Sequence, residues 1–173
     1  MRALLAMTVG VVLPFTAWSQ APTADSLPAP RSFTLTAGFG NSTGGIGLLA
    51  EKYVVRSRLA LFAGLGYLPE EDPGDANGVG VAAGLRGFTP GVKHRGFLEL
   101  SVSELFVQKG CFDACERRYG PGLQAGWHFV TRGGFTLWLS GGVGVSFSTP
   151  EGSESVAAMG GLGLGYTWRR NPR

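Results

Sequence analysis

Phe135-Thr136-Leu137-Trp138-Leu139-Ser140-Gly141-Gly142-Val143-Gly144-Val145-Ser146-Phe147 alternates without a break. One face carries Phe, Leu, Leu, Gly, Val, Val and Phe, and the other Thr, Trp, Ser, Gly, Gly and Ser. A period of two belongs to a β-strand, whose successive side chains point to opposite faces. Residues 133–150 carry no charge, so a hydropathy window could read them as a helix, but five glycines and the strict alternation argue against it.

The same pattern recurs along the chain. Leu59, Leu61, Ala63, Leu65 and Tyr67 oppose Ala60, Phe62, Gly64 and Gly66, while Leu162, Leu164, Tyr166 and Trp168 oppose Gly161, Gly163, Gly165 and Thr167. Counting such runs predicts eight strands, near 31–40, 44–54, 58–68, 78–88, 96–107, 119–130, 135–147 and 155–168. Each is close to the length of a tilted strand crossing a bilayer, about 9–11 residues. Short connections without helical segments imply antiparallel neighbours. The second strand is ambiguous because Lys52 disturbs either phase, and in the fifth Glu104 falls on the apolar face unless a bulge or the strand's end intervenes.

Composition explains what the alternation is for. The 173 residues include 29 glycines, with 44% hydrophobic, 11% aromatic and 16% charged residues. There is no three-residue glycine period, which excludes collagen, and the chain is too apolar to be disordered. The net charge of +3 is spread singly and in pairs, which argues against nucleic-acid binding. Met1-Arg2, the uncharged run Ala3 to Leu13, Pro14 and Ala17-Trp18-Ser19 read as a signal peptide over 1–19, cleaved after Ser19. Residues 20–30 read as an extended tether, 31–168 as the folded domain and 169–173 as a basic tail.

The connections carry a second, independent signal. Those after strands two, four, six and eight are basic (Arg56, Arg58, Lys93, Arg95, Arg132, Arg169, Arg170), whereas those after strands three and seven are acidic (Glu70, Glu71, Asp72, Asp75, Glu151, Glu154). An up-and-down meander sends alternate connections to the same rim, so one rim is basic. A soluble antiparallel sheet places long polar side chains on its second face. Here that face is mostly Gly, Ala, Ser and Thr, with Arg86, Glu99, Gln124, His128, Trp138 and Met159 among them. Such a face fits the narrow interior of a closed eight-stranded barrel, and closure satisfies the backbone as a bilayer requires. Aromatic residues near the strand ends, among them Phe33, Phe39, Tyr67, Trp127, Tyr166 and Trp168, suit girdles at two membrane interfaces. The expected fold is an all-β, eight-stranded, antiparallel, up-and-down transmembrane β-barrel.

Residues 31–168 resemble the small eight-stranded outer-membrane barrels of Gram-negative bacteria, the group that includes the OmpA transmembrane domain and OmpX. The most specific part is Gly163-Leu164-Gly165-Tyr166-Thr167-Trp168, similar to that family's last-strand assembly signal of glycine, two residues, aromatic, one residue, aromatic. Gly161 stands where the family usually has a polar residue, and the chain runs five residues past Trp168. The resemblance implies a monomeric barrel in outer-membrane lipid, with Gly163, Tyr166 and Trp168 read by the barrel-assembly machinery and periplasmic chaperones acting before it. It implies a structural or surface-interaction role without cofactor, metal or nucleic acid.

Other constellations offer side chains suited to chemistry. Cys111 and Cys115, in an outer connection of an oxidising compartment, are expected to form a disulfide, with a thiolate metal site beside Asp113 and Glu116 as the alternative. Arg86 and Glu99 lie at equal spacing from the turn around Val92, so they can form an internal ion pair that fixes register, or a polar gate in a small channel. His128 could join Ser101 and Glu99 in an internal triad, but a filled lumen gives substrate no route. Enzymes resembling the lipid A deacylases place a serine two residues after a histidine, where this chain has Val130. The acidic run 69–77 could offer oxygens to calcium but lacks the spacing of a dedicated loop. The competing functions are a lipid-modifying enzyme or small-solute channel on this scaffold, or a secreted soluble barrel holding a hydrophobic ligand.

Overall fold

The computed structural model describes residues 30–55, 57–68, 78–108, 115–146 and 156–170. The leader and nearly all of the tether therefore lie outside the described residues. Eight strands form one closed barrel, β1 (Arg31–Gly40), β2 (Gly45–Val55), β3 (Leu59–Leu68), β4 (Gly78–Phe88), β5 (His94–Gln108), β6 (Cys115–Val130), β7 (Phe135–Val145) and β8 (Val156–Arg169). Each pairs antiparallel with its sequence neighbours, and β8 closes on β1 from Arg31↔Arg169 to Gly40↔Gly161. The expected strands and their order are present. The largest difference is β6, which starts at Cys115 because β5 and β6 stay paired out to Gln108↔Cys115, whereas β4 leaves β5 at Ser103 and β7 leaves β6 at Gly122. This end of the β5–β6 hairpin thus continues as a two-stranded ribbon beyond its neighbours.

The alternation sorts side chains between two environments. Leu98 and Leu100 are 56% and 57% exposed on the wall, while Glu99 between them is 0% exposed in the lumen. Leu49, Tyr53, Ala60, Phe62, Ala82, Phe88, Phe97 and Trp138 form the apolar part of the interior. Large apolar side chains face outward on every strand, including Leu35, Ile46, Leu65, Val81, Leu98, Leu123, Leu139 and Leu164. In β2 the phase is settled by Leu49, Glu51 and Tyr53 pointing inward, which leaves Lys52 on the outer wall. The backbone of Glu104 pairs with Tyr119 without a register shift.

Two groups of rings stand on the wall at different heights. Near the rim that carries the chain ends, Phe33 lies 5.6 Å from Trp168, Tyr166 meets Trp168 edge-on at 5.0 Å, and His94, Trp127 and Phe129 form a stack. At the opposite rim Phe39, Tyr67 and Tyr119 are exposed. From Trp127 to Tyr119 the chain rises about 27 Å along the strand, or about 20 Å along the axis of a barrel with typical strand tilt.

Candidate functional site

The polar contents of the lumen are arranged in three layers. In the middle layer, Arg86 on β4 is in register with Glu99 on β5, and β2 brings Glu51 to its other side. Arg86 Nε donates to Glu99 Oε2 at 2.6 Å and Nη1 to Glu51 Oε1 at 2.6 Å, with all three side chains fully buried. The guanidinium also faces the rings of Phe97, Trp138 and Phe62 at 4.6, 4.7 and 5.0 Å. One cation therefore serves two carboxylates inside an aromatic cage, where burial strengthens cation–π attraction. Arg86 and Glu99 are legible in the sequence, whereas Glu51 is hidden because its neighbour Lys52 puts a charge on both faces of β2.

The end away from the chain termini is closed by backbone. The connection between β1 and β2, a single 3-10 turn over Asn41–Thr43, folds into the barrel, and Ser42 and Thr43 are 0% exposed. The strands expected at 31–40 and 44–54 leave these residues as a short rim connection, with no local signal that it is buried. Ser42 Oγ donates to Glu99 Oε1 at 2.7 Å, and Gln124 Nε2 donates to both Ser42 Oγ (3.2 Å) and Glu99 Oε1 (3.0 Å). Asn41 Oδ1 accepts from the Gly160 amide at 2.9 Å, and Thr43 Oγ1 donates to the carbonyls of Gly40 and Gly45. The turn fits because β3 and β4 are bare beneath it. A Cβ on Gly64 would strike the Ser42 carbonyl, one on Gly66 those of Thr43 and Gly44, and Gly44 itself (φ 67°) rests against Gly80. Glycine is thus required here by close backbone approach.

The end with the termini is closed by side chains. Arg95 stacks on Phe88 at 4.1 Å and donates through Nη1 to the Ser57 carbonyl at 2.5 Å and through Nη2 to Tyr53 Oη at 3.2 Å, while the same Nη2 lies 3.2 Å from His128 Nδ1. Arg31 reaches the Val92 carbonyl through Nη2 at 2.6 Å, and its amide donates to Ser57 Oγ at 2.7 Å. Thr34, Thr167 and Thr136 form a hydroxyl chain with O···O separations of 2.7 and 2.6 Å. Above them Trp138 Nε1 donates to Thr36 Oγ1 at 3.0 Å, and its indole fills the space left by Gly161 and Gly163.

These contacts decide what the residues can do together. His128 is engaged with Arg95 and packs on Phe88, Glu99 is held by Arg86, Ser42 and Gln124, and Ser101 Oγ makes no hydrogen bond. No relay links the three. Among the described residues there is no group of three His, Cys, Asp or Glu side chains placed to hold a metal. Gly163 lies under the Trp138 indole, whereas Tyr166 and Trp168 face outward. Cys111, the Cys115 side chain and the acidic run 69–77 lie outside the described residues, and so does the expected disulfide.

No family model and no curated protein matches the sequence. Among solved structures, the chain is similar to the N-terminal β-barrel domain of Pseudomonas aeruginosa OprF, with a TM-score of 0.54 and 16% identity over 82% of this chain and 100% of that one. The likeness is one of fold.

Proposed function

We propose that this chain is an integral outer-membrane β-barrel, exported through its leader, with a structural or surface-interaction role and a lumen closed to solutes. The observation that carries the reading is the pairing of an apolar wall on every strand with ion pairs sealed inside. Water-exposed sheet faces are polar, and an apolar surface continuous around a closed barrel is far larger than soluble monomers expose. Lipid is the solvent that matches it, and full ladder closure leaves no edge to satisfy there. The two levels of exposed rings fit girdles flanking an apolar band of about 25 Å. The export leader and the fold likeness to the OprF barrel support the outer membrane as the location.

In this reading the protein is monomeric and not an enzyme, since the lumen groups that could act on a substrate hold one another and the interior is filled from both ends. Gly163, Tyr166 and Trp168 on the closing strand serve recognition by the barrel-assembly machinery, after delivery by periplasmic chaperones. Electrophoresis of the detergent-extracted protein with and without boiling tests the membrane assignment. The unheated band is expected to migrate differently from the heated one, and a chain that stays in the soluble fraction with no shift sinks the reading. Planar-bilayer recordings of the wild type are expected to be silent.

A further inference from the structure

We infer that the rim carrying the chain ends is a binding surface for anionic phospholipid headgroups in the leaflet on that side, an inference that rests on the membrane reading above. Arg58, Lys93, Arg132 and Arg170 are exposed there, one in each of the three turns and one just after β8. The acids whose side chains are described, Glu51 and Glu99, are both sealed in the lumen, so among the described residues this rim is purely cationic. Just inside it, Arg31 and Arg95 donate to the carbonyls of Val92 and Ser57 and form no salt bridge among the described residues, so their charges add to the potential of the mouth.

The distribution selects the partner. Because alternate connections share this rim, the four exposed cations are spaced around the whole circumference, whereas a folded acidic partner would engage one sector. Lys52 gives the stronger argument. It points outward from the wall, in register with Phe33 on β1 and Leu61 on β3, where no partner below the rim could meet it. In a bilayer such a lysine lays its alkyl stem along the apolar wall and carries its ammonium to the phosphate level. The stack of His94, Trp127 and Phe129 beside Lys93 marks that level, since amphipathic rings settle where hydrocarbon meets headgroup. The cations and rings thus form one belt at headgroup depth.

The test uses the full chain folded into phosphatidylcholine vesicles that contain a trace of spin-labelled phosphatidylglycerol or spin-labelled phosphatidylcholine. The motionally restricted fraction of each label reports its association with the barrel. The wild type is expected to favour phosphatidylglycerol about fivefold. Preference is expected to fall by more than half in the variant Arg58→Gln/Lys93→Gln/Arg132→Gln/Arg170→Gln, and to a smaller extent with Lys52→Leu alone. It should also collapse at about 1 M salt, where charges at the surface are screened. Heat-dependent migration of each variant shows that it is folded and inserted. Equal association of both lipids with inserted wild type overturns the inference, as does a preference that the fourfold variant leaves undiminished. Poly-L-glutamate binding to the barrel in neutral vesicles, together with equal lipid association, would assign the rim to an acidic polypeptide instead. A wild-type chain that never inserts overturns both this inference and the reading beneath it.

Discussion

At the end holding the first connection the lumen is stopped by backbone, whereas at the end holding the chain termini it is stopped by side chains. The difference follows from which residues line each half. Gly64, Gly66 and Gly80 offer no side chains, so the turn at Asn41–Thr43 descends onto them and brings its own hydroxyls to Glu99. At the other end Tyr53, Phe88, Arg95 and His128 fill the cross-section, and the turns at Ser57 and Val92 stay at the rim, supplying carbonyls. A narrow barrel can thus be filled by large residues or by emptying a wall enough for a loop to enter. Opposite mutations should open the two ends, truncation at one and the addition of a methyl group at the other.

The largest effect is expected between them. Arg86→Met strands Glu51 and Glu99 in the middle layer and should cost about 3–5 kcal/mol, read from urea unfolding of the folded barrel. Adding Glu51→Gln and Glu99→Gln should recover most of the loss. A triple variant no more stable than Arg86→Met would break the claim that charge pairing holds this layer. Next comes Gly64→Ala, whose new methyl group meets backbone that cannot move aside, at about 3 kcal/mol. It should also make the bond between Ser42 and Thr43 accessible to limited proteolysis. Gly141→Ala, which has open space at its Cβ, should stay within about 0.5 kcal/mol and serves as the control. If the two substitutions behave alike, the backbone plug is not seated on glycine. The smallest of the destabilising changes is Arg95→Met, at about 2 kcal/mol for lost charge-assisted hydrogen bonds. It should loosen the terminal end in hydrogen exchange while leaving the Asn41–Thr43 turn protected, and equal loosening of both ends would dissolve the comparison.

Much of the wall was legible because a period of two is a local property. Leu137 against Trp138, or Leu164 against Gly163, can be assigned to opposite faces without knowing any other strand. Cross-lumen contacts were not legible in this way. Arg86 and Glu99 sit on one hairpin, so the turn fixes their register, but Glu51 is brought to Arg86 from β2 by the curvature of the closed sheet. Its phase was masked by Lys52, and the missing clue was that a lysine near a strand end can face an apolar solvent by extending along the wall. Ser42 and Thr43 read as solvated loop residues because nothing local says that a polar turn is buried. The signal lay elsewhere, in the facing glycines Gly66 and Gly80 on adjacent strands, which are in register and together form a notch with no side chain of its own to fill it.

A barrel made from one linear chain always has a seam where its first and last strands meet, and here that seam carries more than a ladder. The hydroxyls of Thr136, Thr167 and Thr34 run from β7 through β8 to β1, and Trp138 passes inside β8 to reach Thr36 on β1. Two clasps therefore join the strands on either side of the strand that closes the ring. Under a force applied to the two ends of the chain, β8 cannot simply peel from β1, since β7 is fastened to β1 behind it. The load is shared by three strands, and the joint made last in sequence becomes a lap joint instead of a butt joint.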